Sequence, residues 1–118
     1  MKYNSILTAA IAKGTFGITP SEHAQLKGLE KENLRNHMTP LELIFTALGE
    51  EVTRRTAIKD NAQGFEENHE AAVKGGYMTG ESRKRLEELD GEKVVSKENF
   101  KHLKGDGKGE LPENNNSK

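Results

Sequence analysis

The run Gly75-Gly76-Tyr77-Met78-Thr79-Gly80-Glu81-Ser82 is the part of this 118-residue chain closest in form to a chemical motif. Its glycines and final Ser follow the outline of a phosphate-binding loop, where backbone N–H groups cradle phosphate oxygens and a Lys neutralises them. Glu81 stands where that Lys belongs, and its carboxylate repels phosphate. No buried strand precedes the run either. The segment reads instead as a helix–turn–helix junction, with the glycines acting as helix stop and turn.

The histidines give no better lead. His69-Glu70 opens like the zinc-protease pattern HExxH, but Val73 occupies the place of the second His. Glu66, Glu67 and Glu70 around His69 read as the solvated face of a polar helix. His23, His37 and His102 lie on separate segments and form no close pair. There is no G-x-S-x-G elbow to expose a nucleophilic serine. The absence of Cys removes disulfides, thiolate nucleophiles and Cys-ligated zinc together. These readings imply no enzyme, no metal, no cofactor and no small-molecule substrate.

Two basic groups remain, Arg54-Arg55 and Arg83-Lys84-Arg85. Acids bracket each: Glu50-Glu51 precede the first and Glu87-Glu88 follow the second. One reading is a set of helix-surface ion pairs, each worth a few tenths of a kcal/mol. The sharper reading is a joint patch for an acidic partner or a phosphate backbone. The chain carries 18 basic and 19 acidic residues, so it lacks the basic excess usual in nucleic-acid binders. Any nucleic-acid contact is therefore expected to be weak.

The elements that must position these residues are helical. A first helix is expected over about Asn4 to Lys13, ended by Gly14. Thr19-Pro20-Ser21-Glu22 and Thr39-Pro40-Leu41-Glu42 both have the form of a capping box with Pro in the first turn. The first box starts a short helix to about Gly28, and the second a long helix from Pro40 to about Lys59. In the long helix Leu41, Ile44, Phe45, Leu48 and Val52 suggest one apolar stripe, which makes it the expected centre of the fold. Gly49 within it hints at a close crossing or bend. Between the two helices, Leu29, Leu34 and Met38 are spaced for a half-buried face. Asp60–Gly64 is a turn, followed by a fourth helix from Phe65 to Lys74 and a fifth from Gly80 to Leu89. Ser96 is placed to cap one last turn through His102.

Only 32% of residues are hydrophobic, with four Phe, two Tyr and no Trp, so the core must be thin. The expected fold is all-α: a single domain over residues 1–104 with five or six helices, and a disordered, Gly- and Asn-rich tail over 105–118. The apolar run Ile6–Ala12 is too short to span a bilayer and lacks a secretory cleavage site. The lack of Cys fits a reducing cytoplasm. A thin core invites cover from another molecule, and Ile6, Leu7, Ala10 and Ile11 form the expected self-association face, joined to the body by a flexible Gly14–Gly17 link. The bland alternative is that they fold back onto the long helix.

Several phrases in order carry a family resemblance. They are Lys27-Gly28-Leu29, Asn33-Leu34-Arg35-Asn36-His37-Met38-Thr39 and Leu41-Glu42-Leu43-Ile44. Asn61-Ala62-Gln63-Gly64-Phe65, Gly75-Gly76, Arg83 and Gly91-Glu92-Lys93-Val94-Val95-Ser96-Lys97-Glu98-Asn99 continue the match, and Phe16-Gly17 with Glu22-His23 fits the lead-in. Over about residues 14–100 the chain resembles the C-terminal region of DNA-damage-inducible protein D and of phage antirepressor-like proteins that carry an N-terminal Bro-type domain. The resemblance implies a bacterial, phage or mobile-element protein of the DNA-damage (SOS) response that works by binding. The Bro-type domain, the DNA-contacting part in such proteins, is expected to be missing from this chain. What the resemblance leaves is an interaction module for a DNA-repair, replication or phage-control protein, or for its own copies. A small DNA-binding regulator using Arg54, Arg55, Arg83, Lys84 and Arg85 is the alternative.

Overall fold

The computed structural model describes residues 2–100, with side chains from Asn4 onward. Among the described residues four α-helices follow one another: α1 (Lys2–Phe16), α2 (Pro20–Leu26), α3 (Pro40–Lys59) and α4 (Gly64–Asp90). A single 3-10 turn, Leu34–His37, precedes α3. There is no strand among the described residues. The all-α expectation holds, but the count of five or six helices does not. The tail expected over 105–118 lies outside the described residues.

Both capping boxes form. The Thr19 hydroxyl accepts from the Glu22 amide at 3.1 Å while Glu22 accepts from the Thr19 amide at 2.9 Å. Thr39 and Glu42 repeat the exchange at 3.1 and 2.8 Å. Each box satisfies two amides that a helix start otherwise leaves bare. The bounds of α3 are those the sequence suggests.

The corrected count comes from the glycines. Gly75 and Gly76 were expected to end a helix, yet α4 passes through them unbroken, so the fourth and fifth helices are one. Likewise Gly14 does not end α1, which runs helical to Phe16 and leaves no flexible Gly14–Gly17 link. These glycines sit where backbones cross. A Cβ on Gly76 would lie 2.9 Å from the Ile11 carbonyl oxygen and 3.1 Å from Gly14 Cα, and one on Gly14 would lie 2.6 Å from the Gly76 carbonyl carbon. Helix continuity survives because close packing outweighs the roughly 1 kcal/mol propensity cost of each Gly.

The same contacts fix the topology. Gly76, Gly80 and Arg83 meet Ala10–Ile11, Gly14 and Thr15 in matching order, so α1 and α4 run parallel. Gly75 faces Thr53 and Thr79 faces Gly49, in reversed order, so α3 and α4 run antiparallel. α4 packs on both other long helices, which makes it the central element instead of α3. Where the three meet, Thr15, Gly49 and Thr79 touch across their helices, and buried Ala71 and Ala72 extend the small-residue seam along α4.

The large apolar side chains gather elsewhere. Phe16, Met38, Phe45 and Val94 form the core, with Ile18, Leu34, Leu43, Leu86 and Val95 packed around them. Val94 and Val95 belong to a non-helical strap, residues 92–100, that follows the left-handed Gly91 at the end of α4. Ser96 accepts from the Glu98 amide at 2.9 Å, capping a turn, but no helix follows over 97–100. The expected α3 stripe is split: Phe45 is buried and Val52 half-buried, while Leu41, Ile44 and Leu48 are exposed. Glu42, Gly49 and Thr53 take the inward positions they were expected to fill.

Candidate functional site

The strongest concentration of polar chemistry grows out of the second capping box. Glu42 folds back to cap α3, which turns its carboxylate into the body, where it has no exposure to solvent. Its Oε1 accepts from the Thr39 amide at 2.8 Å and from Lys27 Nζ at 2.7 Å. Its Oε2 accepts from His23 Nε2 at 3.0 Å and from the Ser96 amide at 2.8 Å. Four donors thus fill a carboxylate's lone-pair positions. Because Glu42 offers only acceptors, His23 Nε2 carries the hydrogen in this contact.

Lys27 is equally engaged. Its ammonium, with no side-chain exposure, donates to Glu42, to the Ser96 carbonyl at 2.7 Å and to the Glu98 carbonyl. Those are its three hydrogens. A buried ion pair survives only when such bonds replace the lost hydration. Burial pushes the Glu42 carboxyl upward, but the His23 and Lys27 bonds, then the Thr39 and Ser96 amides, outweigh it. The result is a fall from 4.5 to about 2. His23 also packs edge-on against Phe16, ring centroids 5.0 Å apart, which joins the polar cluster to the core.

Two further anchors hold the strap. Asn99 bridges His37 Nδ1, at 2.5 Å, and the Lys27 carbonyl, at 3.1 Å, while the Phe100 amide donates to the His37 carbonyl at 3.0 Å. At the other end Glu87 accepts from the Val94 amide and from Arg83 Nη1, each at 2.9 Å. Arg83 Nε donates to the Thr15 carbonyl at 2.6 Å, closing the last turn of α1. The cluster therefore ties α1, α2, the 3-10 turn, α3, α4 and the strap together. A general acid or base needs an open valence toward substrate, and neither Glu42 nor Lys27 has one. This is a fastener.

The residues singled out for binding are dispersed. Arg83 is mostly buried and committed to Thr15 and Glu87. Arg54 pairs with Glu51 at 2.6 Å and Arg55 adds to the field on that acid; together they lower the Glu51 pKa. Lys84 lies 3.4 Å from Glu81, and Arg85 is exposed. Gly75 sits opposite Thr53, and the eight residues from there to Arg83 span roughly 12 Å of helix rise. The two basic groups are thus offset along the α3–α4 pair. On α1, Ile6 is exposed and Leu7 half-buried, while Ile11 packs at the Gly49 crossing and Ala10 against Gly76. These four do not share one outward face.

Two hollows flank the small-residue seam. A cavity of about 200 Å³ lies beside Thr15, Phe16 and His23, with the exposed Arg35–Glu50 ion pair also lining it. A second, more open cleft of about 360 Å³ runs along the outside of the α1–α4 junction; Ala10, Gly14 and Gly80 line it with Val73, Tyr77 and Lys84. Among the described residues, no group of three or more His, Cys, Asp or Glu is placed to hold a metal ion. No helix among them is long and apolar enough to cross a membrane.

Sequence reading missed the fastener because its members lie in different segments and each has an ordinary local role. Glu42 reads as a cap, His23 as an isolated His, Ser96 as the cap of a last turn, and Lys27 only as part of a family phrase. The one available signal was an acid set among Leu41, Leu43 and Ile44 at the start of an apolar helix. No protein-family model, curated protein or solved structure matches this chain.

Proposed function

We propose that this chain is a non-catalytic interaction module that docks on a protein of DNA repair, replication or phage control, as its resemblance to the C-terminal region of DNA-damage-inducible protein D implies. The observation that supports docking is the α1–α4 cleft. Val73 is 50% and Tyr77 67% exposed along it, an apolar and aromatic edge open to a partner beside exposed Lys84. The fastener supports a structural reading of the resemblance, since Lys27, His37, Thr39, Glu42, Ser96 and Asn99 all lie in the matching phrases.

A photo-crosslinking residue placed at Tyr77 in DNA-damaged host cells is expected to capture one discrete protein, and Val73→Asp is expected to abolish that adduct. A crosslinker at Tyr77 that yields no adduct, or an adduct indifferent to Val73, contradicts docking at this cleft.

The reading as a small DNA-binding regulator keeps exposed Arg54, Arg55, Lys84 and Arg85 but loses Arg83 to the interior. A steep fall of DNA affinity with salt would support it, because each phosphate contact releases counterions.

A further inference from the structure

α3 carries a second stripe. Leu41, Ile44, Leu48, Glu51, Arg55 and Ile58 recur at alternating spacings of three and four, the repeat that keeps one seam on one side of a helix. All six are exposed, with Ile44 at 61% and Ile58 at 65%. The inward face of α3 is a different set, built on Glu42, Phe45, Gly49 and Thr53. An ordinary surface helix turns one apolar stripe to the core and polar residues to water. Here the outward stripe is apolar at both ends and charged between them.

We propose that this stripe is a homodimer seam, with α3 of one copy lying antiparallel on α3 of a second copy and the two-fold axis at position 53. In that register Leu48 meets Ile58 of the second copy, and Glu51 meets Arg55 of the second copy. The axis repeats both contacts, as a closed dimer requires. A parallel pairing sets Glu51 on Glu51 and Arg55 on Arg55. An antiparallel pairing centred between positions 49 and 50 sets Glu51 on Leu48 and Arg55 on Ile44, covering charges that lack partners. Of the registers that engage the charged centre, the one at position 53 matches acid to base and apolar to apolar. Arg54 already holds Glu51 from the same helix at 2.6 Å, which limits the freedom its carboxylate loses on pairing.

The segment from Leu48 to Ile58 is roughly 15 Å long, so the dimer is of the weak, concentration-dependent kind. The inference extends the interaction-module reading by naming a second copy as a partner. It uses a face other than the α1–α4 cleft and the purified chain alone, so either can fail without the other.

Sedimentation velocity of the full chain from micromolar to near-millimolar concentration should show wild type passing from monomer to dimer. Glu51→Arg and Arg55→Glu should each weaken the dimer by about tenfold, since both central pairs become like-charged. An equimolar mixture of the two variants should restore dimerisation, because every central contact in the mixed pair is again opposite in sign. Leu48→Asp should abolish it. Circular dichroism and a thermal melt of each variant identify any that has lost its fold. A wild type that stays monomeric throughout overturns the proposal, as does a mixture that dimerises no better than the variants alone.

Discussion

At the scale of single residues, the fold turns on one carboxylate. Glu42 caps α3, neutralises a buried Lys and holds the strap through the Ser96 amide. Its pKa is depressed from 4.5 to about 2. The ionised form therefore stabilises the fold fully above pH 4.5, and that contribution is lost as pH falls from there toward 2. It amounts to about 3 kcal/mol. A thermal melt repeated across this window should show the wild type losing stability more steeply than a Glu42→Gln variant, which has no carboxyl to titrate. Parallel pH profiles for the two would remove Glu42 from that role. At neutral pH the same variant should be weaker by about 3–5 kcal/mol, because the Lys27 ammonium stays buried without its counter-charge.

At the scale of elements, glycine is used for contact. Gly14 and Gly76 bring α1 and α4 together where each helix leaves no room for a Cβ on the other. Helix propensity alone says that Gly76→Ala stabilises α4 by about 1 kcal/mol. The crossing says the opposite: the new methyl meets the Ile11 and Ala10 carbonyl oxygens, which belong to backbone and cannot rotate away. Overpacking of this kind costs about 1–3 kcal/mol. A lower melting temperature for Gly76→Ala is the expected result, and a higher one would show that the crossing yields easily. This is also where sequence reading reaches its limit. Caps are local, so Thr19 and Thr39 disclose where α2 and α3 begin. A glycine that stops a helix and one that admits a neighbouring helix look alike in sequence, because the difference lies in a residue sixty positions away. The split stripe of α3 has the same origin. Periodicity shows that Leu41, Ile44 and Leu48 share a side with Phe45 nearby, but only the position of α4 decides which side turns inward.

At the scale of the molecule, a chain short of large apolar residues uses two kinds of interior. One end is a compact core around Phe16, Met38, Phe45 and Val94, closed by the strap; the helix crossings are packed through Gly, Ala and Thr. The polar fastener joins the strap to elements from nearly the whole length of the described chain, so the core depends on buried hydrogen bonds as well as on apolar area. The expected binding residues were harder to read than the fold. A basic dipeptide in sequence does not show whether it faces water, an acid on the next turn or, as for Arg83, the end of another helix. The central claim, that the Glu42 cluster is a fastener for the strap, is tested most directly by native-state hydrogen exchange of the Val94 and Ser96 amides. In wild type both should be protected nearly as well as the amides in the middle of α4. In Glu42→Gln the Ser96 amide should exchange far faster while α4 keeps its protection, the pattern of a strap that opens locally. Rapid exchange at Ser96 in the wild type, or unchanged protection in the variant, would contradict the account.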